Sequence, residues 1–353
     1  MNTKLSKILG GLVGAATGDA IGKATEFRNS DMIVRHFGGW VCDFVASPSD
    51  NLSKGTPPGY VTDDFSIAYY TAKEILENKG NLTEDVVRKA LIKWYDDGGY
   101  TQFIGPTTKK SILRMKGEKP PVETPLDEIR HRLLCDSSLV TNGGGMKAGM
   151  MGLFHPGDAD SAIDAAIVMC LPTHNTVNSL SAACAIASAT ASAFKQGASY
   201  YDVIEAGIYG AKEGYRRSDS IARPASGSDI VRKIQLSIEI GLRNQDDPEK
   251  AMREIANIIG GGLWAYEAIP AVFGHIAACR GESMPSILMG VNAGNDTDTV
   301  ACMTGYITGA LNGIEFLPAK AEKILDEANG FRLRKMAEAV DRITGTSEGG
   351  EAA

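Results

Sequence analysis

Two stripes of glycine near opposite ends of the chain most constrain how it can fold. Glycine recurs at every fourth position in two places, at Gly14, Gly18 and Gly22 and at Gly305, Gly309 and Gly313. Each glycine disfavours a helix by about 1 kcal/mol relative to alanine. A helix keeps such a stripe for a packing reason, because a face without side chains lets another backbone approach closely. We expect the two stripes to lie in a tightly packed central layer that brings the chain ends together.

Most of the remaining sequence shows helical periodicity and helix-capping signals. Alternating runs of β-branched residues and a strand-helix-strand rhythm do not stand out. We predict helices over residues 62–78, 84–95, 159–170, 177–194, 201–215, 230–240, 248–259 and 319–343. The Ala- and Ser-rich stretch 179–193 has a small-residue face, and we expect it in the central layer too. The predicted fold class is all-α.

No convincing linker divides the 353 residues. The stretches 116–125 and 218–228 are rich in Pro, Gly or polar residues, but each is short enough to be a loop. We therefore predict a single domain over residues 1–343. The small and polar residues 344–353 are expected to form a frayed tail.

Charge and cysteine usage argue against several classes of protein. The net charge of −7 disfavours a nucleic-acid binder, which would carry a basic face. The six cysteines form no CxxC pair and have no histidine at zinc spacing, which is typical of buried thiols in a reducing compartment. Asp19 interrupts the apolar run that resembles a signal peptide, and no stretch of about 18 apolar residues could span a membrane. We expect a cytoplasmic protein with no membrane or nucleic acid as partner.

Two acidic clusters lie far apart in the chain, each where a helix should begin. They are Thr62-Asp63-Asp64 and Asp296-Thr297-Asp298-Thr299. If the fold joins them, four carboxylates and several hydroxyls form one site without cysteine or histidine. Oxygen ligands of this kind suit Mg²⁺, Mn²⁺ or Ca²⁺ rather than zinc or copper.

Helix capping is the alternative interpretation of each cluster. Thr62 could cap the helix that follows, and acidic residues in a first helical turn favour the positive end of the helix dipole. A single cluster would favour capping, whereas two clusters of the same chemistry favour a metal site. The two roles are compatible, because a helix N-terminus also keeps carboxylates ionised for metal binding.

Several motifs occur together in the order seen in one enzyme family. They are Gly18-Asp19-Ala20-Ile21-Gly22, Glu26-Phe27, Thr62-Asp63-Asp64, Asn142-Gly143 with Met146, Thr173-His174 and Asn295-Asp296-Thr297-Asp298-Thr299. With them the chain resembles the ADP-ribosylglycohydrolases, which include dinitrogenase-reductase-activating glycohydrolases and other ADP-ribosylhydrolases. The resemblance covers roughly residues 10–313.

The resemblance implies a compact, orthogonal multi-helix fold with a site for two Mg²⁺ ions, which Mn²⁺ can replace. It also implies hydrolysis of the bond between the anomeric carbon of ADP-ribose and a protein side chain or small molecule. The implied metal ligands are Thr62, Asp63, Asp64, Asp296, Asp298 and Thr299. The implied catalytic residues are Glu26, Asp63, Asp64 and Asp298. The implied substrate-binding residues are Asn142, Gly143, Gly144, Gly145, Met146 and His174.

The chemistry of the residues agrees with these roles. Cleavage of a glycosidic bond develops positive charge on the sugar, which nearby carboxylates stabilise, and needs an activated water. The run Gly143-Gly144-Gly145 can bring backbone N–H groups close to a diphosphate, although glycine runs are equally often ordinary loops. His174 can contact ligand or cap the following helix, and the segment 103–108 is expected to line the same pocket.

The chain departs from the family pattern at three positions. Phe65 stands where many relatives have threonine, Lys147 where arginine is frequent, and Asn295 where glycine is frequent. We expect the Phe65 ring to form a substrate-binding wall of the pocket. Lysine offers a point charge instead of a bidentate fork, so phosphate recognition can differ.

Three other functions remain open from the sequence. A nucleosidase or another small-molecule N-glycosidase would use the same metal site, with Phe65 as a stacking wall. The run Asp296 to Val300 fits a DxDx[TV] phosphatase signature, but no apolar strand precedes it and no doubly wound domain follows. A protein that only binds ligand is disfavoured by the full acidic set.

Overall fold

The computed structural model describes residues 3–118 and 137–345. The described chain contains 16 α-helices and no sheet, and 68% of it is helical, which confirms the predicted all-α class. The helices are α1 (Thr3–Gly22), α2 (Ser30–Phe37), α3 (Asp63–Glu77), α4 (Glu84–Asp97), α5 (Pro106–Met115), α6 (Gly145–Phe154), α7 (Ala159–Cys170), α8 (Val177–Ser192), α9 (Tyr200–Ser218), α10 (Ile230–Arg243), α11 (Pro248–Ile258), α12 (Ala265–Ala278), α13 (Ser283–Ala293), α14 (Thr297–Asn312), α15 (Ala321–Asn329) and α16 (Leu333–Gly345). Short 3₁₀ turns lie at Ser137–Leu139, Asn142–Gly144 and Ile314–Phe316.

Helix ends follow local capping chemistry closely. Thr62 and Thr83 accept backbone N–H groups at the starts of α3 and α4, as their positions predict. The predicted helix over 319–343 is wrong, because Gly330 adopts a left-handed conformation with φ of 68° and separates α15 from α16. Thr344 is also helical, so the predicted tail begins too early, and residues 346–353 lie outside the described range.

The glycine stripes pack α1 directly against α14. A Cβ added to Gly14 would lie 2.5 Å from the carbonyl oxygen of Gly305, and one added to Gly305 would lie 2.2 Å from that of Gly14. A Cβ on Gly18 would lie 2.2 Å from the carbonyl oxygen of Ala301. Real side chains do not tolerate such distances, so the two backbones touch. The predicted close approach of the two ends of the chain is confirmed.

Helix α8 is buried along its whole length, as its small residues suggest. It packs chiefly against α6, α7 and α9, however, with a smaller contact to α14. The predicted central layer is therefore the α1–α14 pair, and α8 belongs to a neighbouring layer.

Cysteine burial follows the prediction with one correction. Cys170, Cys184, Cys279 and Cys302 are buried free thiols, whereas Cys42 is exposed. The sixth cysteine, at position 135, and most of the predicted loop 116–125 lie outside the described residues. Among the described helices, none combines the length and apolar character needed to cross a membrane.

Candidate metal and substrate site

The C-terminal end of α1 meets the N-terminal ends of α3 and α14, and this junction gathers the acidic residues. One carboxylate oxygen from each of Asp19, Asp64 and Asp298 lies within 4.8 Å of the others. The same holds for Glu26, Asp296 and Asp298. All five residues are buried. The two clusters of the sequence thus come together, and Asp298 is shared by both triads.

Asp19 connects the central helix pair to the start of α3. Its Oδ1 accepts the backbone N–H of Thr62 at 2.9 Å, and its Oδ2 accepts that of Phe65 at 3.0 Å. The first N–H groups of a helix have no partner within the helix, so a carboxylate beside them is well placed. This contact orients α3 so that Asp64 reaches Thr299 of α14.

Two further hydrogen bonds hold the acidic side chains in place. The hydroxyl of Thr299 donates to Oδ1 of Asp64 at 2.9 Å, and Nδ2 of Asn142 donates to Oδ2 of Asp296 at 2.6 Å. The Asp296 side chain makes no capping hydrogen bond to α14, so capping does not explain that residue. Thr62 caps α3 by accepting the N–H of Asp64 at 3.2 Å, and its hydroxyl donates to Oδ2 of Asp64 at 3.2 Å, so it supports the site only through Asp64.

Burial of so many acids in one place makes their ionisation unfavourable. Burial raises the pKa of Asp19 to about 7 against the opposing effect of its two backbone hydrogen bonds. Burial, reinforced by Asp296, Asp63 and Asp19, raises the pKa of Glu26 to about 9. The pKa of Asp63 rises to about 7, chiefly through burial.

A cation among these carboxylates would stabilise their charged forms and displace their protons. Lys23 is a buried cation whose charge acts on Asp19 and Asp298. Its Nζ donates to Ser47 Oγ at 2.8 Å and Thr56 Oγ1 at 2.9 Å. One ammonium cannot balance the five carboxylates of the two triads. The donor set is all oxygen, which fits a hard divalent cation.

The carboxylates face a cavity of about 130 Å³. The acidic side of its wall is formed by Glu26, Asp63, Asp64, Asp296, Asp298 and Thr299. The uncharged part of the wall includes Asn142, Gly143, Met146 and His174. Phe103 and the stretch 105–108 also line the cavity, together with Leu52, Thr141 and Leu263, whereas Ile104 of the predicted segment does not.

Three predicted substrate-binding residues do not line this cavity. A Cβ on Gly145 would meet the side chains of Met303 and Ile269, and the nearest atom to one on Gly144 would be the carbonyl oxygen of Ser179. Gly145 therefore serves close packing behind the loop, whereas a Cβ on Gly144 would make ordinary contacts there. Thr62 is likewise buried and does not reach the cavity wall.

Phe65 is the third predicted substrate-binding residue that does not line the cavity. The prediction that its ring forms a pocket wall is wrong. Its side chain is fully buried, and its ring lies 5.8 Å from that of Phe331 and 6.1 Å from that of Tyr306. The first turn of α3 turns Asp63 and Asp64 toward the site and Phe65 toward the aromatic core. The contribution of Phe65 to the site is its backbone N–H, which Asp19 accepts.

Sequence reasoning missed Asp19 as a member of the acidic site. A carboxylate in an otherwise apolar, glycine-rich helix was the available signal, since a buried charge needs a partner or a metal. Lys23 was also missed, because a lysine one turn beyond Asp19 looks like an ordinary surface residue until α1 is known to be buried.

Comparison with known proteins agrees with this architecture. The sequence profile of ADP-ribosylglycohydrolase matches residues 1–350. The uncharacterized protein YegU of Escherichia coli K12 is 26% identical over 348 residues, which cover 96% of this chain and 97% of YegU. The ADP-ribosylarginine hydrolase Tri1 of Serratia proteamaculans is 34% identical over 113 residues, or 31% of this chain and 28% of Tri1.

A solved structure described as an ADP-ribosylglycohydrolase-related protein complex shares the fold. Its TM-score is 0.68 at 19% sequence identity, and the match covers 98% of this chain and 100% of that one. The full-length profile match, together with the buried acidic site at the helix junction, shows that the chain belongs to the ADP-ribosylglycohydrolase family of hydrolases.

Proposed function

We propose that this protein is a Mg²⁺-dependent hydrolase that cleaves the anomeric bond of ADP-ribose attached to a protein side chain or a small molecule. Two ions are proposed, with Mn²⁺ as a substitute. The observation that supports this most is the pair of buried carboxylate triads that share Asp298. A shared carboxylate can bridge two cations, whereas an isolated triad would hold one.

Bound Mg²⁺ ions would supply a water of lowered pKa and ligand positions for sugar hydroxyls. The chain's own residues account for the other requirements. Thr299 and Asn142 fix Asp64 and Asp296 by hydrogen bonds, which lowers the reorganisation needed when substrate binds. Asp63 lines the cavity but belongs to neither triad, so its carboxylate is available to orient water or to stabilise positive charge on the sugar ring.

A cleft next to the cavity supports a substrate larger than a nucleoside. The cavity alone, at about 130 Å³, is smaller than the roughly 300–1,000 Å³ of pockets that enclose drug-sized ligands. Pro106 and Thr107 also line an adjoining cleft of about 580 Å³. The wall of that cleft carries the basic residues Arg88, Lys110, Arg114 and Arg223. A ribosyl group beside the carboxylates would leave the diphosphate and adenosine to extend toward this cleft.

The acceptor of the ADP-ribosyl group is proposed from sequence similarity. Tri1 is named an ADP-ribosylarginine hydrolase, and its similarity to this chain makes an arginine linkage the first to test. We also propose that residues 3–345 act as one domain, because α1, α3 and α14 each supply carboxylates to one site.

The test is hydrolysis of a substrate panel in Mg²⁺ with release of ADP-ribose or ribose measured by chromatography. The panel contains ADP-ribosyl-arginine and ADP-ribosyl-serine peptides, small ADP-ribosyl compounds and free nucleosides. We expect release of ADP-ribose from at least one ADP-ribosyl substrate and none after chelation. Cleavage of nucleosides alone would favour the nucleosidase alternative, for which the small volume of the cavity is the supporting observation.

A further inference from the structure

A chain of buried polar groups runs behind the neutral side of the cavity. Lys147 is buried, and its Nζ donates to Thr173 Oγ1 at 2.7 Å. The same hydroxyl lies 2.8 Å from Nδ1 of His174, which is also buried. No ion pair joins Lys147 to a carboxylate within residues 3–118 and 137–345. A buried lysine with a hydroxyl as its hydrogen-bond partner calls for an explanation, because burying an unpaired charge is unfavourable.

The distances among Lys147, Thr173 and His174 determine which group donates each hydrogen bond. Burial lowers the pKa of Lys147; in its ammonium form the group can only donate, so the Thr173 hydroxyl then accepts from Lys147 and has one proton left to give. Two acceptors are in reach, the carbonyl oxygen of Cys170 at 3.4 Å and Nδ1 of His174 at 2.8 Å. The Cys170 oxygen already accepts the backbone N–H groups of Thr173 at 3.1 Å and His174 at 2.8 Å. The hydroxyl proton therefore goes to Nδ1 of His174.

An Nδ1 atom that accepts a hydrogen bond leaves the ring proton on Nε2. That atom faces the glycine loop, because a Cβ on Gly143 would lie 2.6 Å from it. Nε2 has no hydrogen-bond partner within the described part of the chain, and His174 is on the cavity wall. Burial lowers the pKa of His174, and the charge of Lys147 lowers it further, so the ring is neutral. Glycine at 143 thus leaves a neutral N–H donor at the cavity.

We propose that Lys147 and Thr173 are positioning residues that hold His174 in its Nε2–H tautomer, so that the cavity presents one fixed donor to an oxygen atom of the ligand. The inference rests on the proposed function for the identity of that ligand, an ADP-ribosyl group with hydroxyl and phosphate oxygens. The carboxylate side of the cavity offers acceptors and cation ligands. A fixed donor at His174, on the same cavity wall, would hold the ligand oxygen in one orientation relative to these groups.

The tautomer can be read directly by NMR. The Mg²⁺-loaded full chain, labelled with ¹⁵N-histidine, contains five histidines, and the His174 signals are assigned by their loss in His174→Asn. We expect wild type to show the Nε2–H pattern with Nδ1 as acceptor. The reverse direction, in which the hydroxyl donates to a neutral Lys147 amine and accepts from the ring, gives an Nδ1–H pattern. That result in wild type would overturn the proposal without any variant.

Variants at Thr173 test whether hydrogen bonds from Lys147 through Thr173 to His174, here called the relay, set the tautomer of His174. Thr173→Val removes the donor at nearly constant volume, so the His174 signals should lose the single Nε2–H pattern. Thr173→Ser should restore it. Binding of ADP-ribose, measured by calorimetry, should weaken by about five- to tenfold in Thr173→Val, as expected for one hydrogen bond, and recover in Thr173→Ser. Wild-type His174 signals in a folded Thr173→Val would refute the relay. Because the NMR pattern does not depend on turnover, failure of the relay is distinguishable from failure of the proposed hydrolysis.

Discussion

Substitution of one glycine at the contact of α1 and α14 tests how the acidic site is assembled. In Gly305→Ala the new methyl group would lie 2.2 Å from the carbonyl oxygen of Gly14 and 2.3 Å from its carbonyl carbon. Both atoms are backbone, so no side chain can rotate away. Reaching even the 3.0 Å below which real Cβ contacts are essentially never seen requires the helices to separate locally by 0.8 Å, the difference between 3.0 and 2.2 Å.

Two opposed effects determine how much Gly305→Ala changes the free energy of unfolding. Alanine is favoured over glycine in a helix by about 1 kcal/mol. Overpacking in a rigid core costs about 1–3 kcal/mol and occasionally more, and a backbone-to-backbone clash belongs at or above the upper end. We expect a net loss of about 2 kcal/mol or more in the free energy of unfolding. At about 2.1 cal/mol/K of unfolding entropy per residue, the 353 residues give a fall of about 3 °C or more in melting temperature.

Thermal unfolding followed by circular dichroism at fixed Mg²⁺ concentration is the assay, with Gly99→Ala as the control. Gly99 is exposed and does not need a positive φ, and the nearest atom to its added Cβ is Tyr60 Oη at 3.6 Å. The control should stay within about 0.5 kcal/mol of wild type. Gly305 lies about two helical turns from Asp298, so Mg²⁺ affinity should fall together with stability. A Gly305→Ala protein as stable as wild type would refute the close-packing explanation and our account of how the triads form.

Four further predictions concern the site. Exhaustive EDTA treatment should abolish hydrolysis and lower the melting temperature, since Mg²⁺ at 100 times its Kd would stabilise the fold by about 2.7 kcal/mol; activity that survives chelation would contradict the metal site. Asp298→Asn should reduce turnover at least about 100-fold with helical circular dichroism retained, because both triads lose charge. Asp246→Asn, which changes a fully exposed side chain, is the matched control and should behave as wild type. Without metal, the raised pKa values of Asp19 (about 7) and Glu26 (about 9) mean that the folded state binds more protons than the unfolded state between about pH 4 and 9. The metal-free melting temperature should therefore fall as pH rises from 5.5 to 8.5, and a rise would show that these acids are not buried together. Phe65→Leu should lose stability by about 1–3 kcal/mol and leave the ratio of kcat/KM between an ADP-ribosyl compound and a nucleoside unchanged, because the ring is in the core; a changed ratio would return Phe65 to the pocket.

Helix positions were largely predictable because their signals are local. Thr62 and Thr83 lie next to the backbone groups that they cap, so a few residues contain the whole interaction. The break at Gly330 shows the limit of this information. A glycine can remain helical within a helix or end it by adopting the left-handed conformation, as Gly330 does, and the residue type alone does not determine which occurs.

The ligand chemistry of the site was also visible in the sequence. The full set of residues that form the site was not. The acids of the two clusters stood out by composition and spacing, and their oxygen donors indicated a hard cation. Asp19 joins them because α1 packs beside the start of α3, where the Asp19 carboxylate accepts the backbone N–H groups of Thr62 and Phe65. The direction in which a side chain points in the first turn of a helix also depends on the neighbouring helices, which is why Phe65 was misplaced in the pocket.

The sequence by itself determined that the chain is helical, that two glycine faces need a close neighbour, and that oxygen ligands gather at two helix starts. These properties follow from interactions within a few residues or from the chemistry of single side chains. Tertiary structure alone decided that Asp298 is shared by two triads, that Gly144 and Gly145 pack behind the cavity, and that Lys147 reaches His174 through Thr173. The physical reason is that these relations depend on distances of a few ångströms between segments far apart in the chain, and such distances are set by the packing of whole helices.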